Sequence, residues 1–201
     1  MATDFMDLTI QTPRLTLTPY AEDDADLAIR LFTDPEVVRY AMELTSVEDI
    51  RKDMPFWTRR GGNGCIGIWC ASEKSGTKVG TGALLPLPVD NTDTDMDSLR
   101  PGHYPDAEIE IGFFLVRDAW GKGYATEIAR ALVAFAFESS PLPAVVATHD
   151  VRNHASRNVL LKSGFRDLGN RRVYGHDGPY LKVTRDDWTT SKHSTDSQSP
   201  S

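Results

Sequence analysis

Residues 107–126 read AEIEIGFFLVRDAWGKGYAT, and this stretch decides the fold. Ala107, Ile109, Ile111, Phe113 and Leu115 alternate with Glu108, Glu110, Gly112, Phe114 and Val116, which predicts a β-strand with two distinct faces. Gly121 and Gly123 then make a turn. From 124 to 138 the apolar residues Ala125, Ile128, Ala129, Leu132 and Ala136 recur at helical spacing, which predicts a helix. A strand that enters a glycine turn and then a helix aims main-chain N–H groups and the positive end of a helix dipole at one spot, which suits a phosphate. Glycine without a Cβ lets a ligand approach the backbone there. Two nucleotide fingerprints fail: GxGxxG would need glycine where Thr126 stands, and a P-loop would need Ser or Thr where Gly123 follows Lys122.

Upstream, 8–18 alternates as a strand in which Pro13 suggests an edge position or a bulge. Apolar spacing predicts a helix over 22–32, and Asp34-Pro35-Glu36 the capped start of a short second helix. Ser46-Val47-Glu48-Asp49 starts a third helix towards 60, which Pro55 should kink or shorten. Residues 65–71 and 78–85 predict a hairpin, with Cys65 and Cys70 in its first strand on opposite faces. Residues 86–106 are rich in Asp, Thr, Pro and Gly and read as a long loop insertion, a feature that is often functional. Beyond the central helix come a short strand at 144–149, a helix over 153–162 stopped by Gly164, and strands at 165–168, 173–174 and 180–184. The whole reads as one domain over 1–188, followed by a polar, Ser-rich disordered tail at 189–201.

Bulk properties narrow the function. The 201 residues carry a net charge of −7 with scattered cations, which argues against a nucleic-acid partner. No apolar run reaches the length of a membrane span, and the N-terminus lacks a signal pattern. Cys65 and Cys70 do not form a CxxC site, and the five histidines lack metal-ligand spacing, so no metal is expected. The expectation is a reduced, cytoplasmic protein.

Glu108 and Glu110 share one face of the central strand. If that face is covered, burial raises a carboxyl pKa and makes it a usable general base; otherwise the pair is a salt-bridged edge. In NHASRNVLLKSGF, residues 153–165, Asn153 and Ser156 stand at a helix mouth, where both are ordinary caps.

Five segments in register resemble the GNAT superfamily of acyl-CoA-dependent N-acyltransferases, and most closely its RimJ/RimL-like branch. They are TPRLTLTPY (12–20), EIGFFL (110–115), WGKGYATE (120–127), NHASRNVLLKSGF (153–165) and LKVTRDDW (181–188). The resemblance implies an α/β fold with a mixed, splayed sheet flanked by helices, and acetyl-CoA as co-substrate between the strands at 107–116 and 144–149. It implies that amides of Gly121, Lys122, Gly123, Tyr124, Ala125 and Thr126 hold the CoA pyrophosphate. Backbone groups of Leu115, Val116 and Arg117 would pair with the pantetheine arm, and Asn153 would contact CoA. Trp120 departs from the superfamily pattern but is familiar in this branch. Leu160 stands where many members carry a tyrosine general acid, so Ser156 becomes the first candidate donor to the leaving thiolate, ahead of Tyr174 and Tyr180.

The expected reaction is direct acetyl transfer to a primary amine, on a protein N-terminus or a small molecule. Glu110 is the first choice of base and Glu108 the second, with a strand amide near Leu115 facing the oxyanion. A non-catalytic acyl-CoA-binding or regulatory module is the alternative. The acids of 86–106 (Asp90, Asp93, Asp95, Asp97 and Asp106) could attract a cationic acceptor, or the loop could be solvated and mobile. The resemblance also allows a homodimer.

Overall fold

In the computed structural model, which describes residues 7–196, β1 (Ile10–Gln11) and β2 (Leu15–Pro19) form where one strand was expected. The break has a local cause. Thr12 N donates to Leu15 O at 3.0 Å and Leu15 N donates back to Thr12 Oγ1 at 2.8 Å, folding 12–14 into a turn that places Pro13 outside the ladder.

Three helices follow: α1 (Ala25–Phe32), α2 (Pro35–Val38) and α3 (Val47–Trp57). Asp34 caps α2 by accepting from the Glu36 amide, and Ser46 caps α3 by accepting from the Asp49 amide. Pro55 sits inside the last turn of α3, which ends three residues short of 60. Strands β3 (Gly67–Glu73) and β4 (Lys78–Pro86) form the expected hairpin. Cys65 lies before β3 rather than in it, buried with its thiol on Ser139 O.

The central unit is β5 (Ile109–Leu115) followed by α4 (Tyr124–Ser139). The chain continues through β6 (Ala144–Thr148), α5 (His154–Lys162), β7 (Arg166–Val173), β8 (His176–Thr184) and α6 (Arg185–Asp196). The three short late strands expected from the sequence are one hairpin. Its β7 is exposed along nearly its whole length and so carries no alternation to read. Its turn, Tyr174-Gly175, holds both residues at positive φ (50° and 76°), as tight hairpin turns of this hand require. Part of the expected disordered tail is helical: α6 runs to Asp196, with Trp188 packed on Phe137 at 5.5 Å, while 197–201 lie outside the described residues.

The eight strands form one sheet in the order β1-β2-β3-β4-β5-β6-β8-β7. Neighbours are antiparallel except β5 and β6, which run parallel and meet at a single pair, Glu110 and Val146. From that point they splay. Phe114 stacks edge-on against Phe32 at 5.3 Å, so α1 covers the Glu110 face. Gly82 packs under Ile128 and Leu132, so α4 covers the other face. Each large side chain buried in this core contributes about 1.5–3 kcal/mol.

Residues 86–106 are not formless. Leu87 and Leu99 are buried, and a short 3-10 turn forms at Met96–Ser98 with Asp95 accepting the Asp97 and Ser98 amides. One end ties to the β7–β8 turn through Tyr174 N to Pro88 O and Gly175 N to Val89 O, both 2.9 Å. The other ties to Gly62, whose amide donates to His103 O at 2.6 Å. The segment is a strap across the Glu110 face.

Candidate active site

The splay between β5 and β6 leaves backbone of β5 without a strand partner. Leu87 N donates to Glu108 O and Val116 N to Val79 O, which sets the phase of the β4–β5 ladder. Even-numbered residues of β5 therefore bond to β4, and Phe113 and Leu115 turn their polar groups towards β6, beyond the one bridged pair. Such a row can accept an extended ligand as an added strand.

The expected set Leu115, Val116 and Arg117 is only partly available. Trp120 Nε1 donates to Leu115 O at 2.9 Å, Ala119 N to Val116 O and Trp120 N to Arg117 O. Leu115 N remains, and the polar backbone groups of Phe113 lie on the same edge of β5. The phase of a ladder depends on its partner, so no local signal marks Phe113.

After β5, residues 117–119 make a 3-10 turn and Trp120 follows, 46% exposed. Gly121 and Gly123 take left-handed conformations, φ 72° and 80°. Gly121, Lys122 and Gly123 are exposed, and among the described residues none of their amides donates to a backbone acceptor. The amides of Tyr124, Ala125 and Thr126 are the first of α4 and have no intrahelical partner. Six consecutive N–H groups at the start of a 16-residue helix thus lack a backbone acceptor, and such groups together with the helix dipole favour an anion.

The turn is braced from behind. Glu127 accepts Thr12 Oγ1 at 2.6 Å, the Arg14 amide at 2.8 Å and Arg14 Nε at 2.7 Å, while Arg14 Nη1 donates to Lys122 O at 2.7 Å. Burial pushes the Glu127 carboxyl up, and these donors outweigh it and leave it below its ordinary value. Arg14 stood inside a quoted motif, but its contact with residue 127 is long-range and invisible locally.

Glu110 sits where β5 and β6 meet, partly buried. Its Oε1 accepts Thr148 N at 3.1 Å and Thr148 Oγ1 at 2.5 Å; its Oε2 accepts the Tyr174 hydroxyl. Burial raises the carboxyl above its ordinary range against the lowering effect of those donors. Glu108 is different: Tyr180 Oη (2.7 Å), Lys182 Nζ (3.0 Å) and Arg171 Nη1 (2.6 Å) surround it. Burial alone would raise it, but the phenol and two cations hold it below the usual value. It is a spent charge beside a hollow of ≈ 350 Å³ at the end of β5 remote from the glycine turn.

Tyr174 and Tyr180, weaker candidates for the acid, thus serve as donors to the two carboxylates, and the phenol of Tyr174 is raised well beyond its ordinary value by burial and by Glu110. Asn153 caps α5, its Oδ1 accepting Ser156 N at 3.0 Å. Ser156 Oγ, in the first turn of α5, makes no hydrogen bond among the described residues, and Leu160 is core. In the strap, Asp90 pairs with Arg172 and Asp97 with Arg59, while Asp93, Asp95 and Asp106 make no salt bridge among the described residues.

A model of the acetyltransferase (GNAT) domain matches residues 14–166. The chain belongs to the GNAT acetyltransferase family. FsC-acetyl coenzyme A-N(2)-transacetylase of Aspergillus fumigatus is 30% identical over 159 residues, covering 78% of this chain and 64% of that protein. An uncharacterized N-acetyltransferase, p20, of Bacillus licheniformis is 28% identical over 170 residues, 83% and 86% of the two chains. The fold matches aminoglycoside acetyltransferase AAC(6')-Ib in complex with coenzyme A (TM-score 0.70, 16% identity, 89% and 99% covered). It also matches the ribosomal alpha-N-protein acetyltransferase RimL in complex with coenzyme A (TM-score 0.66, 16% identity, 89% and 99% covered). This GNAT chain is an N-acyltransferase with acetyl-CoA as co-substrate, and its relatives are consistent with the RimJ/RimL-like branch. Among the described residues no helix is long and apolar enough to cross a membrane, and no cluster of metal ligands occurs.

Proposed function

We propose that this GNAT enzyme moves an acetyl group directly to a primary amine, on a protein N-terminus or a small molecule, within a ternary complex. The observation that carries the reading is Glu110: a carboxyl raised by burial, at the one point where β5 and β6 touch and beside the Phe113 and Leu115 amides, which β6 leaves unpaired. Bound acetyl-CoA supplies an acetyl thioester activated towards nitrogen. Amides 121–126 hold its diphosphate, and Phe113 pairs with its pantetheine arm. An amine is mostly protonated at neutral pH, so Glu110 takes a proton from it through water. Leu115 N–H faces the charge that develops on the carbonyl oxygen, and as the C–S bond breaks the second proton shed by the new amide nitrogen passes through Ser156 Oγ–H to the departing sulfur, which restores the serine. Holding both reactants supplies much of the rate.

The strap at 86–106 forms the acceptor-side wall in this reading, and the reaction takes place in the cytoplasm. Free-thiol release from acetyl-CoA across a panel of amines and N-terminal peptides tests the proposal. The expected result is release that requires an amine, with intersecting double-reciprocal lines. Parallel lines, the mark of an acetylated enzyme, would refute direct transfer.

A further inference from the structure

The densest long-range ion-pair cluster at the glycine turn has no role in the chemistry above. Arg14 comes from the turn between β1 and β2, more than a hundred residues before the loop it braces. Its guanidinium spends Nε and Nη2 on Glu127 Oε2 (2.7 and 2.6 Å) and Nη1 on Lys122 O (2.7 Å), and it lies 4.8 Å from the Tyr124 ring centre. Tyr124 is itself fixed by its hydroxyl on Glu73 Oε1 at 2.8 Å.

We propose that Arg14 and Glu127 are positioning residues whose clamp aims the Gly123 amide at the diphosphate of the coenzyme. This deepens the reading of 121–126 as the diphosphate loop and rests on it. The argument is geometric. No peptide bond in the described chain is cis, so Lys122 C=O and Gly123 N–H point in opposite directions. Drawing Lys122 O back onto Arg14 therefore turns Gly123 N–H away from the guanidinium, out of the loop's outer side. Gly121 and Gly123 resist no rotation by themselves, because glycine populates many φ/ψ states. A ligand would have to order the loop on binding without the clamp, and preorganisation removes that cost. Attraction by the charge of Arg14 is a poor substitute explanation, because Glu127 neutralises it at contact distance. Glu127 also anchors Arg14 through its backbone amide, and Thr12 Oγ1 fixes the same carboxylate, so the fork is held from both sides.

The test compares coenzyme A with pantetheine, which lacks the diphosphate, by calorimetry or displacement on the intact protein. Arg14→Met should weaken coenzyme A by roughly ten- to a hundredfold, the range for losing charge-assisted hydrogen bonds, and leave the pantetheine constant within error, collapsing the ratio between them. Arg14→Lys keeps the charge but not the planar fork, and should fall between the two. Thr12→Val, a milder break of the same clamp, serves if Arg14→Met is unfolded at the assay temperature. Equal weakening of both ligands would mean a merely structural role and would overturn the proposal. An Arg14→Lys protein equal to wild type would mean that charge, not aim, matters, and would overturn it too. Wild-type protein binding coenzyme A no better than pantetheine would instead remove the diphosphate loop itself.

Discussion

Replacing Tyr174 with phenylalanine removes one of three donors from Glu110 and leaves the β7–β8 turn able to form, because both aromatics meet the same left-handed backbone demand. A hydrogen bond to a charged group is worth about 1.5–3 kcal/mol. Losing it lifts the Glu110 carboxyl further above the rise that burial already imposes. The sign of the stability effect follows. A carboxyl whose folded pKa exceeds its unfolded value contributes stability that is complete below about pH 4.3 and is lost as pH climbs through the folded value. In the variant that loss is deeper by the same 1.5–3 kcal/mol or so, and it opens only above the unfolded pKa. Urea melts from pH 4 to pH 9 should therefore show a difference from wild type that grows with pH, and carbon NMR of the Glu110 carboxyl should show the raised midpoint. With an amine acceptor, the acid limb of the pH–rate profile moves up with it. A stability difference independent of pH, together with an unmoved carboxyl titration, would refute the reasoning.

Glu110→Gln should lower kcat/KM by about 100- to 10,000-fold and erase the acid limb; a profile identical to wild type would take Glu110 out of the mechanism. Ser156→Ala should cut kcat by on the order of 100-fold while leaving the coenzyme A dissociation constant alone, and an unchanged turnover number would mean the sulfur leaves unaided. Gly82→Val places a Cβ 2.6 Å from Ile128 Cγ2 and 2.8 Å from Leu132 Cδ1, pushing α4 off the sheet. Overpacking of this kind costs about 1–3 kcal/mol, which would appear as a lowered urea midpoint with an unaltered slope.

What the sequence disclosed was what is encoded locally. The alternation of 107–116, the two glycines and the helical stripe after Tyr124 carry their own physics, so β5, the turn and α4 are found within a few residues of expectation. The caps at Asp34, Ser46 and Asn153 behave likewise. The misses are long-range. The Thr12–Leu15 bond that breaks the first strand yields to a turn rather than to alternation, and β7 pairs through its backbone with almost no buried side chain to announce it. The strap looked unstructured because its partners, Gly62, Tyr174 and Gly175, stand far from it in the chain. In the candidate site, Glu110 and Glu108 were seen as one pair. Only the folded surroundings separate them: Thr148 and Tyr174 for one, Lys182 and Arg171 for the other.

The parting of β5 from β6 carries a consequence for amide exchange. Along this single strand, the even-numbered N–H groups are locked to β4, while those of Phe113 and Leu115 open onto a neighbour that has turned away. The empty enzyme should thus exchange deuterium in an every-other-residue rhythm, a comb of fast and slow sites in the middle of its sheet. Cofactor lying along the seam would silence the fast teeth, and the loss of that rhythm would record occupancy residue by residue.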